Sequence, residues 1–274
     1  MPGVSFDRAA EYYDATRGYP VGVPEQVRDA LARAVGLRGA ARVLEFGVGT
    51  GRIAQPFVAA GYAYVGVDIS QAMLDRLRGK VAHASHAVLL RGDVMHLPLR
   101  DNLFDLAIGA HILHLVADWR ATLLEAKRTL VPGGQIVLLH DTIAHDNPTT
   151  PGRVINERWR ALIADLGHPY ERAGRRWSAF GIGGEASGFL ARLGATCRHV
   201  DLVTFDREST SLRQLADRHI TRIYSGDWSL PDAVHASAAA ALAHWIDTEC
   251  PEPDAPVVEQ AIVRALIAQW PTSQ

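Results

Sequence analysis

The chain has 274 residues, of which 48% are hydrophobic, and carries a formal net charge of −2 at pH 7. This length and apolar content predict a globular protein with a sizeable core, and the near-neutral charge excludes a basic surface for nucleic acid or an anionic membrane. Two distant cysteines, Cys197 and Cys250, are too few for a disulfide framework or a zinc site and indicate free thiols.

The N-terminal segment is predicted to begin as a helix at Phe6, with apolar or aromatic side chains at positions 6, 9, 10 and 13, and to stop at Gly18 and Pro20. A second helix is predicted over Pro24 to Val35, because its apolar side chains recur at helical spacing and proline suits a first turn. We expect the first helix to cover one edge of a sheet and the second to be a packing helix without a functional role.

The stretch Arg42 to Ile53 combines an apolar run, three glycines at alternate positions and a helix-like sequence. Such a pattern predicts a strand, a turn and a helix whose N-terminus faces a ligand. Glycines at 47, 49 and 51 permit positive φ and close approach of a ligand. A dinucleotide fingerprint would require glycine in place of Arg52, and a phosphate-binding P-loop would require a following Gly-Lys-Ser/Thr. Both alternatives are disfavoured.

Two acids follow neighbouring predicted strands. Glu45 lies at the end of the first strand, where an anion would repel a pyrophosphate and attract an ammonium or sulfonium ion. Asp68 ends the run from Tyr62 to Val67 and is suited to accept both hydroxyl protons of a ribose. Together these acids predict a nucleoside with a cationic tail, and S-adenosylmethionine is such a molecule.

Three further segments follow in the same alternating order. Ser70 is predicted to cap a helix through Arg78, Ala87 to Leu90 is predicted as a short strand, and Leu103 to Gly109 as a buried one. Asp118 is predicted to cap a helix through Leu130, after which Pro132 to Gly134 would turn the chain into a strand over Gln135 to His140. This alternation predicts an α/β fold with parallel strands, whose ligands bind beyond the carboxyl ends.

Four ordered motifs, at Glu45 to Gly51, Val65 to Asp68, Gly92 to Val94 and Phe104 to Ile108, resemble those of class I S-adenosylmethionine-dependent methyltransferases. The resemblance covers roughly residues 5 to 141 and is greatest to the small-molecule subgroup, methyltransferase type 11, that includes quinone-biosynthesis enzymes. It implies a doubly wound, mostly parallel seven-stranded sheet of the Rossmann-like methyltransferase type, which ends on an antiparallel strand beside the fifth. The ambiguous segment Val257 to Trp270 is taken as that strand.

The resemblance also implies roles for individual residues. The N-terminal segment would close over the cofactor, with Tyr13 and Arg17 reaching its methionyl carboxylate, and Ile69, with Met73 nearby, would pack on the adenine. Asp93 would accept from the exocyclic amine of adenine, the Val94 backbone N–H would donate to a ring nitrogen, and the Ala110 carbonyl would accept from the cofactor's ammonium. The proposed cofactor-binding residues are therefore Tyr13, Arg17, Glu45, Gly47, Gly49, Asp68, Ile69, Met73, Asp93, Val94 and Ala110.

His111 and His114 follow the fourth motif, near the expected position of the reactive methyl group. Neutral imidazole is suited to proton removal near pH 7, so either side chain is a candidate general base. An ordinary structural histidine in a helix-start turn is an equally good interpretation. A metal site is disfavoured because two histidines three residues apart lack a third ligand.

The core pattern breaks after residue 141. Residues 142–184 are too long for a simple crossover and contain a helix with Ile155 and Trp159 on one face, so we interpret them as an inserted helical cap. The basic, aromatic loop at its end, with Trp177 and Phe180, is a candidate lid. Residues 1–141 and 185–274 would form the S-adenosylmethionine-binding α/β domain, with further cap helices at about 211–248.

The sequence therefore predicts a methyltransferase that passes a methyl group from S-adenosylmethionine to a small molecule under the cap and releases S-adenosylhomocysteine. A non-catalytic S-adenosylmethionine-binding sensor or partner protein is the alternative, and a nicotinamide-dependent oxidoreductase is disfavoured by Arg52. No apolar run has the length of a membrane helix, and the N-terminus lacks the layout of a signal peptide. We expect a cytoplasmic monomer or homodimer that binds neither nucleic acid nor membrane.

Overall fold

The computed structural model describes Asp7, residues 10–143, 150–169, 184–207 and 210–272. Within these ranges lie the helices α1 Tyr13–Arg17, α2 Val23–Val35, α3 Ala54–Ala59, α4 Gln71–Lys80, α5 Trp119–Thr129, α6 Pro151–Asp165, α7 Glu185–Arg192, α8 Leu212–Ile220 and α9 Asp232–Glu249. The strands are β1 Arg42–Phe46, β2 Ala63–Asp68, β3 Ala87–Arg91, β4 Phe104–Ala110, β5 Leu130–Ile143, β6 Thr196–Asp206 and β7 Gln260–Gln269. The helix predicted from Phe6 begins outside the described residues and is represented by the short α1.

The strands form a single seven-stranded sheet in the order β3-β2-β1-β4-β5-β7-β6. The pairs from β3 through β5 are all parallel. β7 and β6 run antiparallel, because Arg264 pairs with Asp201 near one end while Arg207 bonds to Glu259 beyond the other. The predicted mostly parallel sheet, with its final strand beside the fifth, is therefore confirmed.

The middle strands β1 and β4 are buried and mostly apolar on both faces, as expected for parallel strands covered by helices. Leu44, Phe46, Leu106 and Ile108 are fully buried, and α5 contributes Leu123 from above one face. The same core extends to α7 through Leu190. This burial fixes the strand register, and the register in turn determines which side chains meet at the strand ends.

The predicted turn at Pro132 to Gly134 is wrong. β5 starts at Leu130, which lies opposite Phe104, whereas Gln135 lies opposite Leu106. Between these two pairs, β5 has four residues and β4 has one. The proline and the two glycines therefore lie in a bulge-like irregularity within β5 and not in a turn before it. Glycine is needed at position 133, whose φ is 81°.

The chain divides into two compact units. The first consists of Met1–Thr142, Ala173–Thr204 and Ile262–Gln274, and the second of Ile143–Arg172 and Phe205–Ala261. In the second unit, α6, α8 and α9 share a core around Trp159, Leu215 and Leu242. The predicted loop containing Trp177 and Phe180 lies outside the described residues. Among the helices that the structure does describe, none is long and apolar enough to cross a membrane.

Candidate functional site

An open crevice lies at the carboxyl ends of β1 to β4, in the first unit. From β1 the chain continues to β2 and β3 on one side, then crosses to β4 on the other, so the crevice sits where the strand order reverses. Open α/β sheets bind ligands at this point, because the loops on either side diverge. The crevice encloses about 730 Å³, including its open mouth.

The loop after β1 supplies the floor of the crevice. Gly47, Gly49 and Gly51 have φ angles of 80°, 53° and 88°, so all three need the left-handed conformations that glycine adopts freely. A Cβ atom at position 47 would lie 2.6 Å from Ile112, whereas one at position 49 would have no neighbour within 4 Å. The loop is therefore closely packed against the protein at Gly47 and open at Gly49, where a ligand can approach the backbone.

Asp68 at the end of β2 holds this loop in place. One carboxylate oxygen accepts the Gly49 backbone N–H at 2.8 Å, and the other accepts the Ser70 N–H at 2.9 Å. Burial raises the pKa of Asp68, against the lowering effect of these two backbone donors. Each carboxylate oxygen retains a lone pair, so the side chain can still accept from two hydroxyl groups.

The structure brings most of the predicted site residues together. The crevice is lined by ten of them, namely Tyr13, Gly47, Gly49, Asp68, Ile69, Met73, Asp93, Val94, Ala110 and His111. Four apolar lining residues were not predicted: Met95, Ile112, Leu115 and Val116. Met95 lies two residues after Asp93, and the other three lie within five residues after His111. Their position shortly after the end of a predicted strand was the signal in the sequence that could have identified them.

Glu45, by contrast, is not among the lining residues. Its side chain is only 2% exposed and accepts a hydrogen bond from the Tyr64 hydroxyl at 2.7 Å. Burial raises the pKa of Glu45 to about 8, although Tyr64 and Arg52 both oppose the shift. Burial therefore favours the protonated carboxyl in the folded chain, and the attraction between a Glu45 anion and a cationic ligand stays a prediction.

Arg17 and His114 also lie outside the crevice lining. The Arg17 carbonyl accepts a hydrogen bond from Arg52, and the Arg17 charge acts on His114. Burial, with His111 and Arg17 nearby, lowers the pKa of His114 to about 4, so this imidazole is neutral at pH 7. Of the two predicted histidines, only His111 contacts the crevice.

The short helix α1 is fastened to the glycine loop. The Asp14 carboxylate accepts the Thr50 hydroxyl at 2.5 Å and pairs with the Lys80 ammonium at 2.6 Å. Lys80 also donates to the Thr50 carbonyl at 2.8 Å. We call Asp14, Thr50 and Lys80 the α1 clamp. The clamp holds Tyr13, which directly precedes Asp14, at the wall of the crevice.

The residues present fit S-adenosylmethionine. The open backbone at Gly49 allows close approach, and the Asp68 carboxylate has lone pairs for ribose hydroxyls. Ile69, Met73 and Val94 offer an apolar lining for a flat adenine ring. Each feature is supplied by a different strand end or the loop that follows it.

Comparison with known proteins agrees with this geometry. A family model described as a methyltransferase domain matches residues 44–138. The ubiquinone/menaquinone biosynthesis C-methyltransferase of Syntrophotalea carbinolica is 32% identical over 241 residues, which cover 82% of this chain and 93% of that protein. The demethylmenaquinone methyltransferase of Streptomyces griseus is 35% identical over 136 residues, 48% of this chain and 57% of its own. The chain thus spans nearly all of the first relative and little more than half of the second.

Solved structures show the same fold. A methyltransferase-like protein from Bacillus halodurans superposes with a TM-score of 0.54 at 16% identity and covers 90% of this chain and 99% of its own. The fold and the crevice define the class of S-adenosylmethionine-dependent enzymes. The chain belongs to the class I small-molecule methyltransferases, as the similarity over nearly the full length of the Syntrophotalea enzyme shows. It is an enzyme that uses S-adenosylmethionine, and no finding supports the non-catalytic alternative.

Proposed function

We propose that the chain methylates a ring carbon of a quinone precursor in its reduced, hydroquinone form. The supporting observation is the similarity to two relatives whose names specify ubiquinone/menaquinone biosynthesis and demethylmenaquinone. The reduced form is proposed because a hydroquinone hydroxyl donates electron density to its ring, whereas a quinone ring is electron-poor. The apolar wall of Ile112, Leu115 and Val116 next to His111 suits a flat aromatic acceptor.

The predicted roles of the cofactor-binding residues form part of this proposal. When bound, S-adenosylmethionine supplies a methyl group on a positively charged sulfur, which leaves as the neutral thioether of S-adenosylhomocysteine. The chain would hold the ribose with Asp68, admit the ligand at Gly47 and Gly49, and enclose the adenine between Ile69, Val94 and their neighbours. Much of the rate enhancement would come from orientation of the acceptor and exclusion of water.

His111 is the proposed general base. It lines the crevice on the β4 side, beside Ala110, where the Ala110 carbonyl would accept from the cofactor's ammonium. Proton removal from an acceptor hydroxyl makes the ring more nucleophilic. After methyl transfer, the methylated ring carbon loses its hydrogen as a proton and the oxygen regains one, which restores the aromatic ring. The roles of Arg17, Glu45 and His114, the function of the second unit as a cap, a cytoplasmic location and a monomeric or homodimeric state all stay predictions.

The test is incubation of the purified chain with labelled S-adenosylmethionine and a short-chain demethylmenaquinol, a naphthohydroquinone that carries one prenyl group. We expect labelled product methylated on the free ring carbon, together with release of S-adenosylhomocysteine. The control is the same naphthohydroquinone with that carbon already methylated, which should take no label. Label on a hydroxyl oxygen, or no label with either compound, would contradict the proposed acceptor.

A further inference from the structure

Asp141, near the end of β5, was not singled out in the sequence, yet it has three side-chain partners beside the crevice. The Tyr19 hydroxyl donates to one carboxylate oxygen at 2.6 Å, and His111 Nε2 lies 3.1 Å from the same oxygen. Arg52 Nη1 lies 3.2 Å from the other oxygen. The Asp141 side chain is only 9% exposed, so these interactions are shielded from solvent.

Asp141 is ionised despite its burial. Desolvation alone would raise its pKa, but the Arg52 charge, His111 and the Tyr19 hydrogen bond outweigh it and hold the pKa far below the usual range. Arg52 is itself fixed, since its guanidinium donates to the Arg17 carbonyl and lies 4.5 Å over the Tyr19 ring. The carboxylate next to His111 is therefore a permanent, oriented negative charge.

This charge determines which nitrogen of His111 carries the proton. An ionised carboxylate accepts only, so it favours the tautomer protonated at Nε2. The Asp141 backbone N–H also donates a hydrogen bond to Nε2 at 3.1 Å, and this bond favours the opposite tautomer. The carboxylate is the stronger partner, because hydrogen bonds to ionised groups are roughly twice as strong as neutral ones. Nδ1 is then left as an acceptor, and it bonds to no residue that the structure describes.

The backbone also holds His111 in a defined position. Its φ is 51°, an uncommon value for a residue other than glycine. Its N–H donates to the Leu139 carbonyl at 3.2 Å, next to the pairing of Ala110 with Leu139. Residues held in such conformations cluster at functional sites, where surrounding contacts fix them. His111 is thus fixed at the backbone by β5 and at the ring by Asp141.

We propose that Asp141 is a positioning residue that fixes the ring and tautomer of His111, so that Nδ1 takes the proton from the hydroxyl of the methyl acceptor. This inference rests on the proposed function. The acceptor's O–H bond breaks, an N–H bond forms at Nδ1, and the electron pair stays on the acceptor. The imidazolium that results carries a positive charge, which the Asp141 carboxylate stabilises. His114 takes no part in this step.

The test begins with a readout that needs neither cofactor nor acceptor. Nitrogen-15 NMR of labelled histidine rings distinguishes the two neutral tautomers, and His111→Gln identifies the His111 signals. We expect the wild-type His111 ring to be protonated at Nε2. In Asp141→Asn the amide should donate to Nε2 and shift the ring to the Nδ1-protonated form. A wild-type ring protonated at Nδ1 would overturn the proposal, whether or not the variant folds.

The second readout is kinetic, with the short-chain demethylmenaquinol as acceptor. Asp141→Asn should lower kcat about 100-fold, the lower range of a general base's contribution, and leave the S-adenosylmethionine dissociation constant within about twofold. Asp29→Asn, a half-exposed acid on α2, is the matched control and should change neither. A kcat for Asp141→Asn within about threefold of wild type would overturn the role of Asp141. If the wild-type chain fails to methylate this acceptor, the proposed acceptor is wrong, while the tautomer measurement still decides the role of Asp141.

Discussion

Two buried carboxyl groups near the crevice differ in charge at pH 7, one negative and one largely neutral, because their neighbours differ. Asp141 faces the fixed charge of Arg52 and stays ionised, whereas Glu45 meets mainly a hydroxyl group and is largely protonated. Both lie at the carboxyl ends of strands, so position in the sheet alone does not determine charge. Burial raises the pKa of both carboxyl groups, and the partners decide whether the net shift is upward or downward.

Glu45 makes stability depend on pH. Its folded pKa of about 8 exceeds the ordinary carboxyl value, so the folded chain binds more protons than the unfolded chain between pH 4.5 and 8. Stability should therefore fall as pH rises through this window. Glu45→Gln keeps an acceptor for the Tyr64 hydroxyl and removes the ionisation, so it should stabilise the chain by roughly 2 to 5 kcal/mol at pH 9 relative to wild type.

Urea denaturation of wild type and Glu45→Gln at pH 5 and pH 9 measures this effect. The two curves should nearly coincide at pH 5 and separate at pH 9. Glu25→Gln, an exposed acid on α2, should change stability equally little at both values. Equal stability of Glu45→Gln and wild type at pH 9 would show that Glu45 is not held in its protonated form.

Gly47 is the second residue whose role can be tested directly. Alanine at this position would place a Cβ atom 2.6 Å from Ile112 and would also require a φ of 80°. We expect Gly47→Ala to weaken S-adenosylmethionine binding by roughly tenfold or more, measured by calorimetry, because strain of about 1 to 3 kcal/mol displaces the loop or Ile112.

Two matched variants locate the cause of that loss. Gly39→Ala has no neighbour within 4 Å of its added Cβ atom and should bind the cofactor as wild type does. The double variant Gly47→Ala with Ile112→Ala removes the two 2.6 Å contacts, keeps the Cβ atom of residue 112 at 2.9 Å, and should recover part of the affinity. Wild-type affinity in Gly47→Ala alone would mean that the loop does not form the floor of the binding site.

For individual residues, the sequence predicted much of the crevice, since ten of the thirteen predicted site residues line it. It could not predict the pairing of His111 with Asp141, because thirty residues separate them and the contact depends on the register of Ala110 with Leu139. Register follows from core packing rather than from a local motif. The hydrogen bond from Tyr64 to Glu45 was hidden for the same reason.

Among the elements, α1 has the most direct connection to the crevice. It has only five residues, too few for a stable isolated helix, so its position depends on tertiary contacts. The α1 clamp of Asp14, Thr50 and Lys80 supplies three of these contacts. Because Tyr13 lines the crevice, loosening of the clamp should weaken the contact between this helix and the cofactor.

Asp14→Ala removes two of the three clamp interactions. We expect the S-adenosylmethionine dissociation constant to rise about fivefold, mainly through faster dissociation measured by stopped-flow fluorescence, since exposed charge pairs contribute roughly 1 kcal/mol or less. Glu11→Ala, an exposed acid in the same segment, is the control and should leave the dissociation rate unchanged. An unchanged rate in Asp14→Ala would show that α1 contributes nothing to cofactor retention.

Helix boundaries were predictable where a side chain caps them. Ser70 accepts from Met73 N and Asp118 accepts from Arg120 and Ala121 N, as the sequence predicted. The segment Ser229 to Asp232 resembles a capping box in the sequence and predicts a side-chain cap there, and this prediction is wrong. α9 begins at Asp232 after Pro231, with no side-chain cap. Proline at the preceding position restricts the backbone and fixes the helix start without a serine cap.

At the scale of the whole molecule, each compact unit has its own core. The second unit is distinguished by a buried polar group. Asp227, 1% exposed, accepts from Trp159 Nε1 at 2.9 Å and pairs with His219 Nδ1 at 2.9 Å. His219 also bonds through Nε2 to Asn156 Oδ1 and stacks on the Trp159 ring. α6, α8 and the turn before α9 are joined by this network.

Asp227→Ala would leave the Trp159 and His219 donors buried without an acceptor. We expect the second unit to lose about 3 to 5 kcal/mol of stability, as for other buried pairs that lose one partner. Limited proteolysis with mass spectrometry should show new cleavage within α6, α8 or α9 while the sheet stays resistant. Asp232→Ala, with a 95% exposed side chain, is the control. Wild-type resistance of Asp227→Ala would contradict the structural role of this network.

The sheet order could be anticipated because βα alternation and right-handed crossovers allow few topologies. The composition of the second unit could not be anticipated as closely. The sequence predicted cap segments at 142–184 and about 211–248, whereas the compact unit comprises 143–172 and 205–261. Where a helical unit ends depends on contacts among α6, α8 and α9, such as Trp159 against His219 and His235, which lie far apart in the chain.

Hydrogen–deuterium exchange with and without S-adenosylmethionine tests most directly whether the crevice binds the cofactor. At saturating cofactor, exchange at the amino ends of the strands, opposite the crevice, should be unchanged. Slower exchange should concentrate in the four segments around Gly47–Gly51, Asp68–Met73, Asp93–Met95 and Ala110–Ile112. Protection located elsewhere, or no protection in these segments, would contradict the account.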